Sequence, residues 1–369
     1  MKVQISRDVF LKGLQIIHPI IPNKSTLPIL SHVLLDAQKE KLHLTGTDLE
    51  LGISCSVAAE ALEDGAVAVP AKRLMDLIKE LPNTTLQLTA KKNQQVTIEC
   101  DIAGKHGLFK IMGLPKEEFP RLPRVEIYDA LVIDQGVLQS MLGLTAFAVS
   151  HDESRYILTG ILFISKAGWL RMVATDGRRL AMVQREAKNP TKTDHQVIVP
   201  FKAITELHRL LGEGPTVQII IKENQIASDL GNTQLISRLI EGKFPSYEQV
   251  IPQEAPQKLT VSREALLLAT KRISLWTTQD SPSIRFDLKP NHLIISKQAA
   301  EVGEAHEEVQ AAYNGSEFSI GFNPGYIVDV LKTLPFDDVE MELPGPDRPG
   351  VIRTKDHYLY IVLPMQLGS

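Results

Sequence analysis

The sequence predicts an α+β protein built from three copies of one domain, each copy made of two half-units in which a strand leads into a helix and then into short alternating strands. Three observations carry this reading. A spacing of 128 residues relates short motifs along the chain, a second motif recurs about half-way through each copy, and an apolar stripe of helical period follows each motif.

The 128-residue spacing appears first at Ile5, Ile133 and Val261. Each ends a short apolar strand, and each is followed by a polar residue able to cap a helix: Ser6, Asp134 and Ser262. The same spacing relates Ile29-Leu30-Ser31-His32-Val33-Leu34-Leu35 to Ile157-Leu158-Thr159-Gly160-Ile161-Leu162-Phe163, and Thr47-Asp48 to Thr175-Asp176. The half-way motif is Val69-Pro70-Ala71-Lys72, then Val199-Pro200-Phe201-Lys202, then Phe322-Asn323-Pro324-Gly325. The chain therefore holds six half-units, and the expected domains are 1–124, 125–253 and 254–369. Segments such as Thr85-Leu86-Gln87-Leu88-Thr89 and Val217-Gln218-Ile219-Ile220-Ile221 supply the short strands.

Behind the half-way motif, Leu74, Leu77, Ile78 and Leu81 form an i, i+3, i+4, i+7 stripe. Ile204, Leu207 and Leu211 repeat it, with His208 at its remaining place, read as a core-edge histidine. Ile327, Val330, Leu331 and Leu334 repeat it again. The helices that open the domains carry a looser version: Phe10, Leu14 and Ile17, then Leu138, Met141 and Leu142, then Leu266 and Ile273. At about 100° per residue, the places opposite the stripe hold Lys72 and Lys79, Lys202 and Arg209, and Gly325 and Lys332. Lys271 occupies the matching place in the third opening helix, with Arg272 beside it. The net charge is −4, yet the helix backs are repeatedly basic. Isolated lysines on a helix back are ordinary solvated residues. Their recurrence at one place suggests a cationic surface that holds phosphates without reading bases.

Composition narrows the class. Apolar residues make up 43% and charged residues 23% of 369, as in an ordinary globular protein. No window has the roughly 18 uninterrupted apolar residues of a membrane span. Arg7 and Asp8 interrupt any signal-peptide core, so the expected location is cytoplasmic. Cys55 and Cys100 are expected to be reduced strand residues, and no metal-ligand spacing accompanies them. No cofactor is called for.

Several ordered segments then match a known family. They are Thr26-Leu27-Pro28-Ile29-Leu30, Leu44-Thr45-Gly46-Thr47-Asp48-Leu49-Glu50, Val69-Pro70-Ala71-Lys72, Arg155-Tyr156, Val173-Ala174-Thr175-Asp176-Gly177-Arg178-Arg179-Leu180, Phe244-Pro245-Ser246-Tyr247 and Leu363-Pro364-Met365-Gln366-Leu367. End to end the chain resembles the bacterial beta sliding clamps, the processivity subunits of the replicative DNA polymerase III holoenzyme. Departures are Gln366, where the family often carries Arg, Arg178 in place of a common His, and Ile157 in place of a common aromatic. Gly368-Ser369 extend past the usual end.

The resemblance implies the DNA-clamp fold: a head-to-tail homodimer, with outer antiparallel sheets and helices lining a ring around double-stranded DNA. It implies DNA contacts at Lys24, Arg73, Arg155 and Tyr156, alongside the helix-back residues Lys72, Lys79, Lys202, Arg209, Lys271 and Lys332. It implies that Arg73, Leu108, Phe109 and Ile111 meet Ile273 and Leu275 of the other copy. For short linear motifs of partners it implies a pocket of Leu158, Thr175, Gly177, Arg178, Leu180, Pro245, Val250, Val362, Pro364 and Met365. The partners are the replicative polymerase catalytic subunit, the clamp loader, and other polymerases and repair proteins; no membrane is involved.

Two other classes compete. The His151-Asp152-Glu153 cluster and the Thr175-Asp176-Gly177 loop suggest an enzyme, but Thr-Asp recurs at Thr47-Asp48, which a catalytic site would not do. No phosphate-binding glycine loop, nucleophile elbow or metal spacing is present. A three-domain protein-binding scaffold that never encircles DNA would keep the repeats but would not need the matched lysines. For the C-terminal Pro364-Met365-Gln366-Leu367, a frayed tail is the alternative to a pocket wall.

Overall fold

The structure, a computed structural model, describes residues 1–123, 129–187, 193–212, 214–253, 255, 257–300 and 302–367. The expected domain limits at 124/125 and 253/254, and the Gly368-Ser369 extension, touch residues outside those described.

Six α-helices lie among the described residues, each entered directly from a strand or one residue after it. They are α1 (Arg7–Ile17), α2 (Ala71–Glu80), α3 (Gln135–Thr145), α4 (Phe201–Leu210), α5 (Arg263–Ser274) and α6 (Pro324–Thr333). The strands feeding them are Lys2–Ser6, Gly65–Pro70, Leu131–Asp134, His195–Pro200, Lys258–Ser262 and Phe318–Phe322. This is the sixfold strand–helix pattern expected from the repeat. The apolar stripes explain why these segments are helical: Phe10, Leu14 and Ile17 of α1, Leu74 and Ile78 of α2, and Ile327, Val330 and Leu331 of α6 are all buried. Each such side chain contributes roughly 1.5–3 kcal/mol on leaving water. His208 departs from expectation: it is exposed near the end of α4, and Leu207 and Leu211 hold the core side.

The chain forms two compact units. One comprises residues 1–136 and 205–239, the other 137–204 and 240–369. The first holds a five-stranded antiparallel sheet ordered Glu60–Glu63, Lys2–Ser6, Thr85–Ala90, Gln95–Ile102, Lys105–Met112. It also holds an eight-stranded sheet in which Thr233–Arg238 pairs with Leu51–Ala58, from Thr233 opposite Cys55 to Ser237 opposite Leu51. The second unit is organised by a twelve-stranded sheet, in which Arg179–Glu186 pairs with Tyr358–Val362. Strands of the middle repeat thus extend the sheets of both neighbouring repeats, so the units cut across the sequence repeat.

The helix ends are tied by a device that recurs at the 128-residue spacing. Arg7 donates from Nε to Ile78 O at 2.9 Å and from Nη2 to Lys79 O at 2.5 Å, closing the carboxyl end of α2. Arg263 does the same for α6, donating to Leu331 O at 3.1 Å and Phe336 O at 2.7 Å. In the middle repeat Gln135 takes the position, donating to Thr216 O at 3.0 Å and accepting from Gly212 N and Gly214 N. Last-turn carbonyls have no partner within their helix, and Arg7 and Arg263 supply donors to them, whereas Gln135 ties the chain that follows α4. Of the expected N-terminal caps, Asp134 accepts from Gly136 N and Ser262 from Ala265 N, whereas Ser6 makes no such bond. Cys55 and Cys100 are free and buried, and burial pushes the Cys55 thiol up to about 12.

Candidate nucleic-acid and partner interfaces

In the first compact unit, Lys72, Arg73 and Lys79 stand exposed on α2, opposite buried Leu74 and Ile78. His18, just past α1, is held below its ordinary value by burial and then by the charge of Lys79, with Asp76 opposing. The imidazole therefore stays neutral beside these lysines at pH 7. Lys24 is exposed in its turn. Arg209 has a different task from the other helix-back cations. It donates to Ile16 O at 2.7 Å and Gln15 O at 3.4 Å and pairs with Glu206, so it closes the carboxyl end of α1. Period alone placed Arg209 on the outer face, and nothing in the sequence marked α1 as its acceptor.

Lys202 is exposed at the start of α4. In the second unit Lys271 and Lys332 are exposed on α5 and α6, and Arg155 and Tyr156 are exposed in the 153–159 segment. Arg272, beside Lys271, is ion-paired with Glu307.

The Thr175–Arg179 turn is built by its own side chains. Thr175 Oγ1 donates to Arg179 O at 2.6 Å and accepts from Gly177 N at 3.0 Å, while Asp176 Oδ1 accepts from Arg178 N and Arg179 N. Gly177 has φ +85°, and a β-carbon there would lie 3.0 Å from Arg155 Nη1, which itself donates to Asp176 O. The turn Thr47–Leu51 repeats the four bonds internal to this turn, with Leu49 at φ +79° in the place of Gly177. Thr175-Asp176 is thus a turn-forming pair that recurs, which removes the reason to read it as a metal loop. Among the described residues no group of three or more His, Cys, Asp or Glu is placed to hold a metal. His151 meets the Phe201 ring edge-on, and Asp152 is taken up by Ser154 and Arg155.

Around the turn, Leu158 packs on a core that includes Leu180, Phe244, Tyr247 and Ile361. Gly177, Arg178, Pro245 and Val250 are exposed, Val250 at 58%, while Thr175, Pro364 and Met365 are half-buried. Leu180 and Val362 are buried within the sheet. The tail is not frayed: Leu363 N donates to Arg178 O at 2.9 Å and Met365 N to Gly321 O at 2.8 Å. Leu158 and Leu180 thus share one core with Phe244 and Tyr247, the turn and the tail meet where Leu363 N bonds Arg178 O, and Val250 stands at the end of the 247–250 helical turn.

The residues expected between two copies divide differently. Leu108 (46% exposed) and Leu275 (75%) face solvent, Arg73 is exposed and Phe109 is half-buried. Ile111 and Ile273 do not fit the expectation, because each is buried in its own core. The strand's period of two turns Ile111 inward opposite Val96, and the helix period turns Ile273 onto the core side of α5. Met112, not singled out from sequence, is exposed on the Leu108 face. Lys105–Met112 ends its sheet and carries Lys105, His106 and Lys110. Glu304–Gln310 pairs on one edge only among the described residues and carries Glu304, Glu307 and Glu308. The two open edges have opposite charge.

The whole length of the chain matches known proteins. In three consecutive pieces it matches the DNA polymerase III beta subunit: N-terminal domain over residues 1–123, central domain over 132–246 and C-terminal domain over 248–366. The chain belongs to that family. It is 36% identical to the beta sliding clamp of Pseudomonas aeruginosa, with all of both chains covered. It is 31% identical to that of Chlamydia muridarum, with 100% of this chain and 99% of the relative covered. The crystal structure of the P. aeruginosa DnaN sliding clamp bound to griselimycin superposes with a TM-score of 0.94 at 35% identity, covering both chains fully. The Bacillus subtilis DNA polymerase sliding clamp superposes at 0.93 and 27% identity, again over both whole chains. As a beta-subunit family member the chain is a non-catalytic processivity factor with the clamp fold. No helix among the described residues is long and apolar enough to cross a membrane.

Proposed function

We propose that two copies of this chain close head to tail around duplex DNA in the cytoplasm. The ring tethers the replicative polymerase, the clamp loader and other polymerases and repair proteins. The observation that carries the reading is the ordered match of all three beta-subunit domains along the whole chain. In this reading the exposed cations Lys24, Lys72, Arg73, Lys79, Lys202, Lys271 and Lys332, with Arg155 and Tyr156, face phosphates. Exposed cations on helix backs attract the backbone without reading bases, so binding is weak, salt-dependent and free to slide. Arg209 contributes there only through the part of its guanidinium left over from α1.

The ring closes by joining the basic edge Lys105–Met112 to the acidic edge Glu304–Gln310, with Leu108 and Leu275 as apolar contacts. A head-to-tail contact of this kind makes a closed ring when the rotation per copy fits. Partner motifs enter beside Gly177, Arg178, Pro245, Val250, Pro364 and Met365. An exposed apolar rim with a flexible methionine accepts apolar side chains of varied shape.

A topological test separates a clamp from a scaffold. The protein is loaded by a clamp loader onto nicked circular DNA, and the circle is then cut once. Release on cutting, with retention on the uncut circle, is the expected result. Equal retention on both forms would show an ordinary DNA binder, and failure to load on either would favour the scaffold.

A further inference from the structure

Lys297 is a buried cation without a counter-charge. It is 7% exposed. Its Nζ donates to Ser281 Oγ at 2.5 Å and to Ser283 O at 2.8 Å, and among the described residues no carboxylate pairs with it. Burial holds the ammonium below the ordinary lysine range. An ammonium has three N–H donors, so one is left over here. A buried charge held by neutral acceptors alone is unfavourable, and an anion beside it would relieve that cost.

The repeat shows that the fold does not need this lysine. The hairpin-closing pairs Gln38–Lys41, Lys166–Trp169 and Lys289–His292 are equivalent in the three copies. Counted from them, Lys297 matches Gly46 and Ala174, and the residues opposite, Ala305, Ile53 and Ala181, match in turn. The first two copies fill this place. A β-carbon at Gly46 would lie 2.4 Å from Ile17 Cγ2, and Ala174 is fully buried. The third copy instead puts a long cation here, beside a cavity of about 610 Å³, a volume within the roughly 300–1,000 Å³ of small-molecule sites.

The cavity wall includes Thr278, Ser281, Arg285 and Ser296 as well as Lys297. Ser281 N donates to Thr278 Oγ1 at 3.1 Å, which fixes the serine. Its hydroxyl accepts from Lys297, so the hydroxyl proton remains to be donated. Arg285 donates from Nε to Asp287 at 2.7 Å and from Nη2 to Ser319 Oγ at 2.7 Å, leaving Nη1 uncommitted. Asp287 is thereby taken up. Asp280 and Glu304 also line the cavity, but both are exposed, where water and salt screen their charge.

We propose that this cavity binds a small molecule bearing a phosphate group, whose oxygens accept from Lys297 and the Ser281 hydroxyl, with Arg285 as the second cation of the site. A phosphate carries more charge and more acceptor oxygens than a carboxylate, which suits two cations and a hydroxyl donor. The site is separate from the helix-back cations and from the partner pocket, and it does not depend on either reading.

The test uses the full-length chain, with inorganic phosphate as the probe and the phosphorus NMR linewidth as the readout, at ionic strength held constant with chloride. A parallel titration follows labelled acetate by carbon NMR. The native chain is expected to bind phosphate saturably and more tightly than acetate. Lys297→Met should weaken phosphate binding by about tenfold or more, and Ser281→Ala by about fivefold. Melting curves identify a variant that fails to fold, and Ser281→Ala, the milder change, then decides the outcome. Variants that melt earlier but bind phosphate as the native chain does would make Lys297 a structural tie only and overturn the proposal. So would acetate binding as tight as phosphate. The titration is repeated with Lys72, Lys79, Lys202 and Lys332 reversed together. Binding lost in that chain but kept in Lys297→Met would place the phosphate on the helix backs, and the proposal would fall.

Discussion

Leu275 offers a direct test of ring closure. Its side chain is 75% exposed at the carboxyl end of α5, so nearly all of its apolar surface is open to be covered at a ring joint. Leu275→Ala removes about three carbons of apolar surface. At roughly 0.8 kcal/mol per buried CH₂, covering this side chain is worth about 2 kcal/mol at each joint. A two-chain ring has two such joints, and separating the chains breaks both, so the dimer should lose about 4 kcal/mol. That corresponds to a dissociation constant on the order of a thousandfold higher. Sedimentation velocity over a dilution series reads this shift. The melting temperature of the dissociated chain should stay unchanged, because Leu275 supports little of its own fold. Ile273, two residues away but 3% exposed, gives the opposite signature. Ile273→Ala should destabilise the fold by about 2–5 kcal/mol as a core truncation. A dimer constant that does not move in Leu275→Ala would refute the assignment of this residue to the ring joint.

The other expectations concern charge, caps and thiols. Reversing Lys72, Lys79, Lys202 and Lys332 together should flatten the dependence of DNA retention on salt by roughly 0.9 in log–log slope for each phosphate no longer neutralised, measured by filter binding between dilute and moderate salt. Arg263→Ala should cost about 2 kcal/mol in chemical denaturation, since one carbonyl of the last turn of α6 and one just beyond the helix lose a charged donor. Both thiols should resist Ellman's reagent at pH 8 in the folded protein, because burial keeps Cys55 protonated up to about 12 and also raises Cys100; both should react after denaturation. His18 is held below its ordinary value of 6.5, so as pH falls below that value the unfolded chain takes the proton more readily and stability declines. His18→Gln should lose less stability than the native chain between pH 7 and pH 5 in parallel denaturation curves.

Much of the fold was legible because the sequence states it repeatedly. Ile5, Ile133 and Val261 each end a strand at a helix, and the stripes on α2 and α6 bury the residues their period indicates. What could not be read concerns contacts between segments distant in sequence. Arg209 sits at the right angle to be a free cation, but its fate depends on where the end of α1 lies. Ile111 and Ile273 look like surface candidates until the register of Lys105–Met112 and the packing side of α5 turn them inward. Leu180 and Val362 likewise are buried by the strand pairing of Arg179–Glu186 with Tyr358–Val362, which no local pattern shows. The Arg7, Gln135 and Arg263 ties were hidden for a simpler reason: the middle copy replaces arginine with glutamine, which holds the segment after its helix by a different set of bonds.

The pairing of Thr233–Arg238 with Leu51–Ala58, and of Arg179–Glu186 with Tyr358–Val362, covers one edge strand on each side of the middle repeat with a strand of a neighbouring repeat. Excised from the chain, it would present two raw strands with every ladder donor and acceptor bare, a template for aggregation. Divergence among the three copies is thereby restrained at both seams, since a change in strand length or register on one side must be met by its neighbour.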